Sequence, residues 1–267
     1  MQARSALFDL FGDHLRARGG SAPIAALVRL LAPLDIAPPA VRTAVSRMVR
    51  QGWLSPVRLP AGPGYTLTPK AARRLDDAKA RIYRTRQDDW DGRWHLLVVS
   101  GLSDRAAKAR LAANLSFLGY GALDSHTWVS PRPADEVAGL LTESGARAEQ
   151  FLAVHRDGAD GSVALMRRAW DLESLGKAYQ QFVEDLTPMV EFDDQDASDE
   201  QAFAARSELV HTWRRFLFTD PGLPVSLLPD DWPGAVAAAF FDRHAARLWP
   251  ASSRFVDGCL ETTRSPA

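Results

Sequence analysis

Leu7, Phe8, Phe11 and Leu15 recur at helical spacing in SALFDLFGDHLRA and predict a helix over 5–17, ended by Gly19 and Gly20. Ile24, Leu27, Val28 and Leu31 predict a second, roughly 22–32. Pro33 and the pair Pro38-Pro39 punctuate the turn into a third, about 38–51, because proline suits a first helical turn where its missing N–H has no partner. Its inner stripe is Val41, Val45, Met48 and Val49, which turns Arg42, Thr43, Ser46, Arg47 and Arg50 outward, and Gly52 caps it. WLSPVRL then alternates, PAGPG (60–64) turns and YTLT returns, a small hairpin carrying Arg58. A helix from Thr68 to about Tyr83 brings Lys70, Arg73, Arg74, Lys79 and Arg81.

Beyond this the pattern changes. RWHLLVVSG (93–101) reads as a buried strand, and residues 103–118 as a helix through Ala107, Leu111, Leu115 and Leu118. A strand about 122–130, a helix 133–144 and a strand about 147–154 complete an alternating α/β segment. From Ala164 the pattern is helical, with Trp170, Leu172, Leu175, Tyr179, Phe182, Val183 and Leu186 on mixed three- and four-residue spacing. A long helix about 199–218, a proline-rich link 221–233 and a helix near 234–248 with Phe240, Phe241 and Leu248 follow. The expected architecture is α+β in three parts: 1–86, 87–160 and 161–267.

Charge sharpens this division. Residues 1–86 hold 15 Lys and Arg against 5 Asp and Glu, and residues 87–267 hold 17 against 28, so a net of −1 conceals a basic third and an acidic remainder. Such a split suits a chain of which one part sits on a polyanion while the other is kept off it. Helix, helix, helix, hairpin, helix is the winged helix-turn-helix order, and the basic surplus falls within it. The second helix would brace and the third would enter the major groove, where Arg pairs bidentately with guanine and Ser or Thr reaches bases or phosphates. The hairpin would touch backbone or minor groove, and the fourth helix backbone. The predicted DNA-binding set is Arg42, Thr43, Ser46, Arg47, Arg50, Arg58, Lys70 and Arg73. Read alone, the third helix is equally a solvated amphipathic helix; its neighbours give it the DNA reading.

Other chemistry is sparse. A single cysteine, Cys259, allows no internal disulfide and no cysteine-based zinc site, which fits a reducing, cytoplasmic location. No apolar run approaches a membrane span, and Asp9, Arg16 and Arg18 break any leader-like stretch. No G-x-S-x-G elbow, phosphate loop or dinucleotide fingerprint occurs. Asp124 beside His126 reads as an acid–base or metal-ligand pair or, more simply, as strand-surface residues. The run 191–200 (EFDDQDASDE) lacks the glycine and final glutamate of a calcium loop and reads as a solvated linker. Neither a catalytic residue nor a metal or cofactor is expected.

Several segments resemble the PaaX family of bacterial transcriptional repressors: LFDLFGDHLRARGG, VRTAVSRMVRQGWL (41–54), YTLTPKA (65–71), WDGRWHLLVVS (90–100) and, most distinctive, HTWRRFLFTDPGLPVSLLPDDWPG (211–234). The likeness runs in order through all three parts; only the wing, PAGPG, is more proline-rich than the family pattern. It implies a DNA-binding domain, a ferredoxin-like middle domain and a helical C-terminal domain for effector binding and dimerisation. It also implies a repressor of phenylacetate-type aromatic-acid catabolism genes, released by an aryl-CoA thioester such as phenylacetyl-CoA. Such a repressor would act as a homodimer on a palindromic double-stranded operator. An effector pocket needs aromatic walls and cations for the CoA phosphates. Trp94, Trp128 and Trp213 are candidates for the first, against core packing, and Arg167, Arg168, Arg214 and Arg215 for the second, the pair Arg214-Arg215 against neutralising the acidic run. The rival reading is a metal-dependent nuclease or hydrolase targeted by a winged helix, with Asp124 and His126 as its ligands.

Overall fold

A computed structural model describes residues 1–73, 75–76, 90–193 and 197–261. The fold is mixed α and β with two small antiparallel sheets. It divides into two compact units, one of Met1–Ile82, Gln180–Arg215 and Ala235–Ala267, the other of Tyr83–Tyr179 and Phe216–Gly234. Compactness therefore does not follow chain order: helices from the last third belong with the basic N-terminal segment.

In the first unit α1 (Ala3–Leu10) continues through a π-helical turn, Phe11–Leu15, and a 3-10 turn, Arg16–Arg18, into Gly19 at φ 84°. β1 (Ser21–Pro23) precedes α2 (Ile24–Leu31). α3 (Pro38–Arg50) leads through Gly52, at φ 70°, to β2 (Leu54–Leu59) and β3 (Gly62–Leu67). The sheet order is β1-β3-β2. β1 falls where the periodicity places the start of the second helix: Pro23 fixes an extended backbone and the helix begins after it. The hairpin is tighter than PAGPG suggests, because Leu59 pairs with Gly62 and only Pro60 and Ala61 turn, which leaves Pro63 and Gly64 in the strand. The helix predicted from Thr68 is present at 69–73; Arg74, Lys79 and Arg81 lie outside the described residues, as do 194–196 of the acidic run.

α8 (Asp199–Trp213) and α9 (Pro233–Glu261) complete this unit, together with the last part of α7 (Leu172–Val190). Leu7, Phe11 and Leu15, Leu27, Leu30 and Leu31, and Val41, Val45 and Met48 share one core with Phe203 of α8 and Val256 and Cys259 of α9. Burial pushes the Cys259 thiol above its ordinary pKa, which favours the unreactive protonated form. α9 does not stop near 248. It runs through Pro250, and the guanidinium of Arg206 donates to the Ala245 carbonyl, next to the Ala246 carbonyl that the proline leaves without its helical donor.

The second unit holds a four-stranded sheet ordered β5-β6-β4-β7. β4 (Trp94–Ser100) pairs antiparallel with β6 (Thr127–Ser130) and with β7 (Arg147–Ala153), while β5 (Gly121–Ala122) flanks β6. One face, with Leu97, Val99 and Trp128, packs under α4 (Arg105–Phe117) and α5 (Val137–Ser144). The other, with Trp94, Leu96 and Val129, packs against α6 (Gly158–Ala169) and residues near Leu223 and Leu227. The single strand expected over 122–130 is two short ones, interrupted where Asp124 accepts the backbone N–H groups of His126 and Thr127 at 2.7 and 2.8 Å.

Candidate nucleic-acid interface

α3 is built as its sequence spacing requires. Val41, Ala44, Val45 and Met48 are buried and Val49 half-buried, and Arg42, Thr43, Ser46, Arg47 and Arg50 are exposed. Pro38 and Pro39 occupy its first turn. Arg58 stands exposed near the tip of the β2–β3 hairpin, opposite Pro63. Lys70 lies 4.8 Å over the ring of Trp53, and Arg73 is exposed. The predicted nucleic-acid set thus shares one unit, and five of its eight members line one helix face.

The arginines of this unit sort into two groups. Arg16 pairs with Asp76 at 2.7 Å, Arg18 with Asp257 at 2.7 Å, Arg206 with Asp13 at 2.8 Å and Arg254 with Asp199 at 2.6 Å. Arg214 pairs with Asp9, and Arg29 donates to the Cys259 carbonyl at 2.5 Å. By contrast, Arg42, Arg47, Arg50 and Arg58 hold no ion pair among the described residues. A guanidinium already matched to a carboxylate has little left for a phosphate; these four keep their full charge in water.

Sequence reasoning missed what holds α1 in place. Asp9 is buried and accepts from Nδ1 of His211 at 2.7 Å while it pairs with Arg214. One turn on, Asp13 receives both Nε and Nη2 of Arg206 at 2.8 Å. Two carboxylates at i, i+4, one on α1 and one in the π-helical turn that continues it, therefore meet basic groups of α8 and its C-cap Arg214, in antiparallel order. Beside them His14 stacks on Trp249, ring centroids 5.0 Å apart, and its Nε2 faces the Ser252 hydroxyl at 3.2 Å. Burial, aided by Arg206 and Arg18 against the opposing pull of Asp13, lowers the His14 pKa to about 4. The only signal in the sequence is a pair of aspartates set within the apolar stripe of the first helix.

The candidate effector residues are distributed. Trp213 is buried between Phe182, at 5.3 Å, and Phe241, stacked at 4.8 Å. Arg214 is committed to Asp9, and burial holds it below the usual arginine range; Arg215 is exposed. In the second unit Trp94 is buried against Trp90 and Trp170, at 5.1 and 6.1 Å, with Nε1 donating to Ser162 at 3.2 Å. Trp128 is buried on the opposite face of that sheet. Arg167 and Arg168 are exposed in the last turn of α6.

The Asp124–His126 pair is a turn. Asp124 accepts backbone protons from His126 and Thr127, which is the chief reason its pKa falls below the usual carboxylate range, and the His126 ring faces Ser125 Oγ at 2.8 Å. Among the described residues no group of three or more His, Cys, Asp or Glu converges for a metal, and no helix is long and apolar enough to cross a membrane.

Comparison with known proteins follows the same three segments. Protein-family models match at residues 2–71 (PaaX-like protein), 87–162 (PaaX protein central Cas2-like domain) and 170–258 (PaaX-like protein C-terminal domain). A curated relative, the transcriptional repressor PaaX of Escherichia coli strain K12, is 33% identical over 97% of this chain and 84% of its own. Among solved structures, the uncharacterized protein Rv0674 from Mycobacterium tuberculosis superposes with a TM-score of 0.70 at 25% identity, covering 97% of this chain and 98% of that one.

Proposed function

The chain belongs to the PaaX family, and from that premise we propose that it is a DNA-binding transcriptional repressor of phenylacetate-type aromatic-acid catabolism genes, released from its operator by an aryl-CoA thioester such as phenylacetyl-CoA. The observation that carries the reading is the sorting of arginines: Arg42, Arg47 and Arg50 on the exposed face of α3 and Arg58 at the hairpin tip hold no ion pair among the described residues, while Arg16, Arg18, Arg206, Arg214 and Arg254 are matched to Asp76, Asp257, Asp13, Asp9 and Asp199. In this reading residues 1–86 are a winged helix-turn-helix domain in which α2 braces, α3 reads the major groove and β2–β3 is the wing. Residues 87–160 are a ferredoxin-like domain, and 161–267 serve effector binding and dimerisation. The function requires neither catalysis nor a metal. Arg167 and Arg168, exposed in the last turn of α6, are the cations proposed for the thioester's phosphates.

The working form is a cytoplasmic homodimer on a palindrome whose half-sites lie ~34–36 Å apart, one helical turn. The effector lowers operator affinity by favouring a half-site spacing the DNA does not match, and by linkage the operator lowers effector affinity by the same factor.

Fluorescence anisotropy on the duplex upstream of the protein's own gene tests the reading. Tight, salt-sensitive binding, abolished by phenylacetyl-CoA and indifferent to free phenylacetate, is expected. Arg47→Ala weakens the specific site by ~1–3 kcal/mol and narrows its margin over random DNA. Binding that ignores the thioester refutes the effector; no salt-dependent binding to any duplex refutes the repressor.

A further inference from the structure

The start of α1 lies beside α3 and the two enclose a groove of ≈ 540 Å³ along the reading helix. One wall is Gln2, Ala3 and Arg4; the other is the stripe of α3 from Pro39 through Thr43 and Arg47 to Gln51. Its polar lining is two guanidinium groups, two carboxamides and a hydroxyl, with no carboxylate among them. That set suits a phosphodiester strand: fixed positive charge to neutralise it and neutral donors to hold its oxygens.

Arg4 is ordered without losing charge. Its guanidinium stands 5.7 Å from the ring centroid of Phe8, one turn along, and Phe8 meets Trp53 edge-on at 5.3 Å. Trp53 in turn carries Lys70 at 4.8 Å. An aromatic pair thus supports one cation on each ring. A cation–π contact fixes direction while leaving the full charge for a partner, unlike the carboxylate pairs that neutralise Arg16, Arg18 and Arg206.

We infer that this groove is a phosphate-backbone site for double-stranded DNA, in which Arg4, assisted by Gln2, clamps the strand flanking the major groove that α3 occupies. The inference rests on the reading of α3 as a DNA-contacting helix and adds to it residues outside the helix-turn-helix and wing. Arg4 thereby sets register and affinity, while base discrimination stays with α3.

The test is the salt dependence of binding by the full-length protein to a random-sequence duplex and to the duplex upstream of its gene, for wild type, Arg4→Ala, Arg4→Lys and Arg47→Ala. Arg4→Ala is expected to lower the slope of log K against log salt by ~0.9, the release from one phosphate, and to weaken both duplexes by the same factor. Arg4→Lys restores the slope because it restores the charge, which excludes misfolding as the cause. An Arg4→Ala slope equal to wild type, with Arg47→Ala still impaired, overturns the inference and leaves the α3 reading standing. Salt-independent or absent binding by wild type overturns both.

Discussion

Arg214 is where a structural role and a ligand-binding role make opposite predictions. In the structure it belongs to Asp9, whose side chain is 4% exposed, while that of Arg214 is 26% exposed. Replacing Asp9 by Ala strands a guanidinium in a mostly buried position and removes the acceptor of His211 Nδ1. Breaking a fully buried pair costs ~3–5 kcal/mol and an exposed pair ~0–1. A partner that still reaches water on one side sits between these, at ~2–3 kcal/mol including the lost histidine hydrogen bond. Hydrogen–deuterium exchange of peptides from α1 and α8 is a suitable assay, because it reads the local opening of the two helices that the pair joins. Opening easier by ~2–3 kcal/mol means exchange about 30- to 150-fold faster. The Asp9→Ala/Arg214→Ala double variant should be no worse than Asp9→Ala alone, since the stranded charge goes with the second change. Exchange within threefold of wild type in Asp9→Ala, or strictly additive single effects, refutes the clamp. An Arg214→Ala variant with unchanged exchange but weakened thioester binding would return Arg214 to the effector site.

Two further outcomes follow from groups in the same structure. His14 has a folded pKa of about 4 against 6.5 unfolded, so between these values the unfolded chain binds a proton the folded one refuses. The stability it contributes is complete above pH 6.5 and lost as pH falls toward 4, ~3 kcal/mol over the whole window. The stability advantage of wild type over His14→Phe, which keeps a ring against Trp249, should shrink by ~2 kcal/mol between pH 7 and 5 in urea titrations, and a constant difference would count against the burial argument. A Cβ on Gly64 would lie 2.6 Å from the Ala22 carbonyl oxygen and 2.6 Å from Leu59 Cδ1, so Gly64→Ala should push β1 off β3 at a cost of ~1–3 kcal/mol. Gly139→Ala on α5 meets nothing within 4 Å and should be neutral or stabilising; thermal melts of both variants check this, and equal effects at the two glycines would refute the packing account.

The sequence by itself determined the local elements and the charge that marks them. α3 was legible to within a residue because proline at its start, glycine after its end and an apolar stripe at helical spacing are interactions between near neighbours in the chain. The basic surplus of residues 1–86 was equally plain, and so was the outward set Arg42, Thr43, Ser46, Arg47 and Arg50, because a helix's period fixes which side chains share a face. What lies far apart in the chain was not legible. β1 is a strand of three residues only because β3, about 40 positions on, offers it a hydrogen-bonding edge. The donor that Arg206 of α8 brings to the Ala245 carbonyl of α9 comes from 39 positions away. Which arginines are free and which are spent is tertiary as well: Arg214 and Arg47 look alike in sequence, and only the approach of Asp9, 205 positions from Arg214, separates them. Trp94 and Trp213 likewise carry no mark of the aromatic neighbours that bury them. Ion pairing and burial are fixed by through-space distance, and only the folded chain sets the distance between residues hundreds of positions apart.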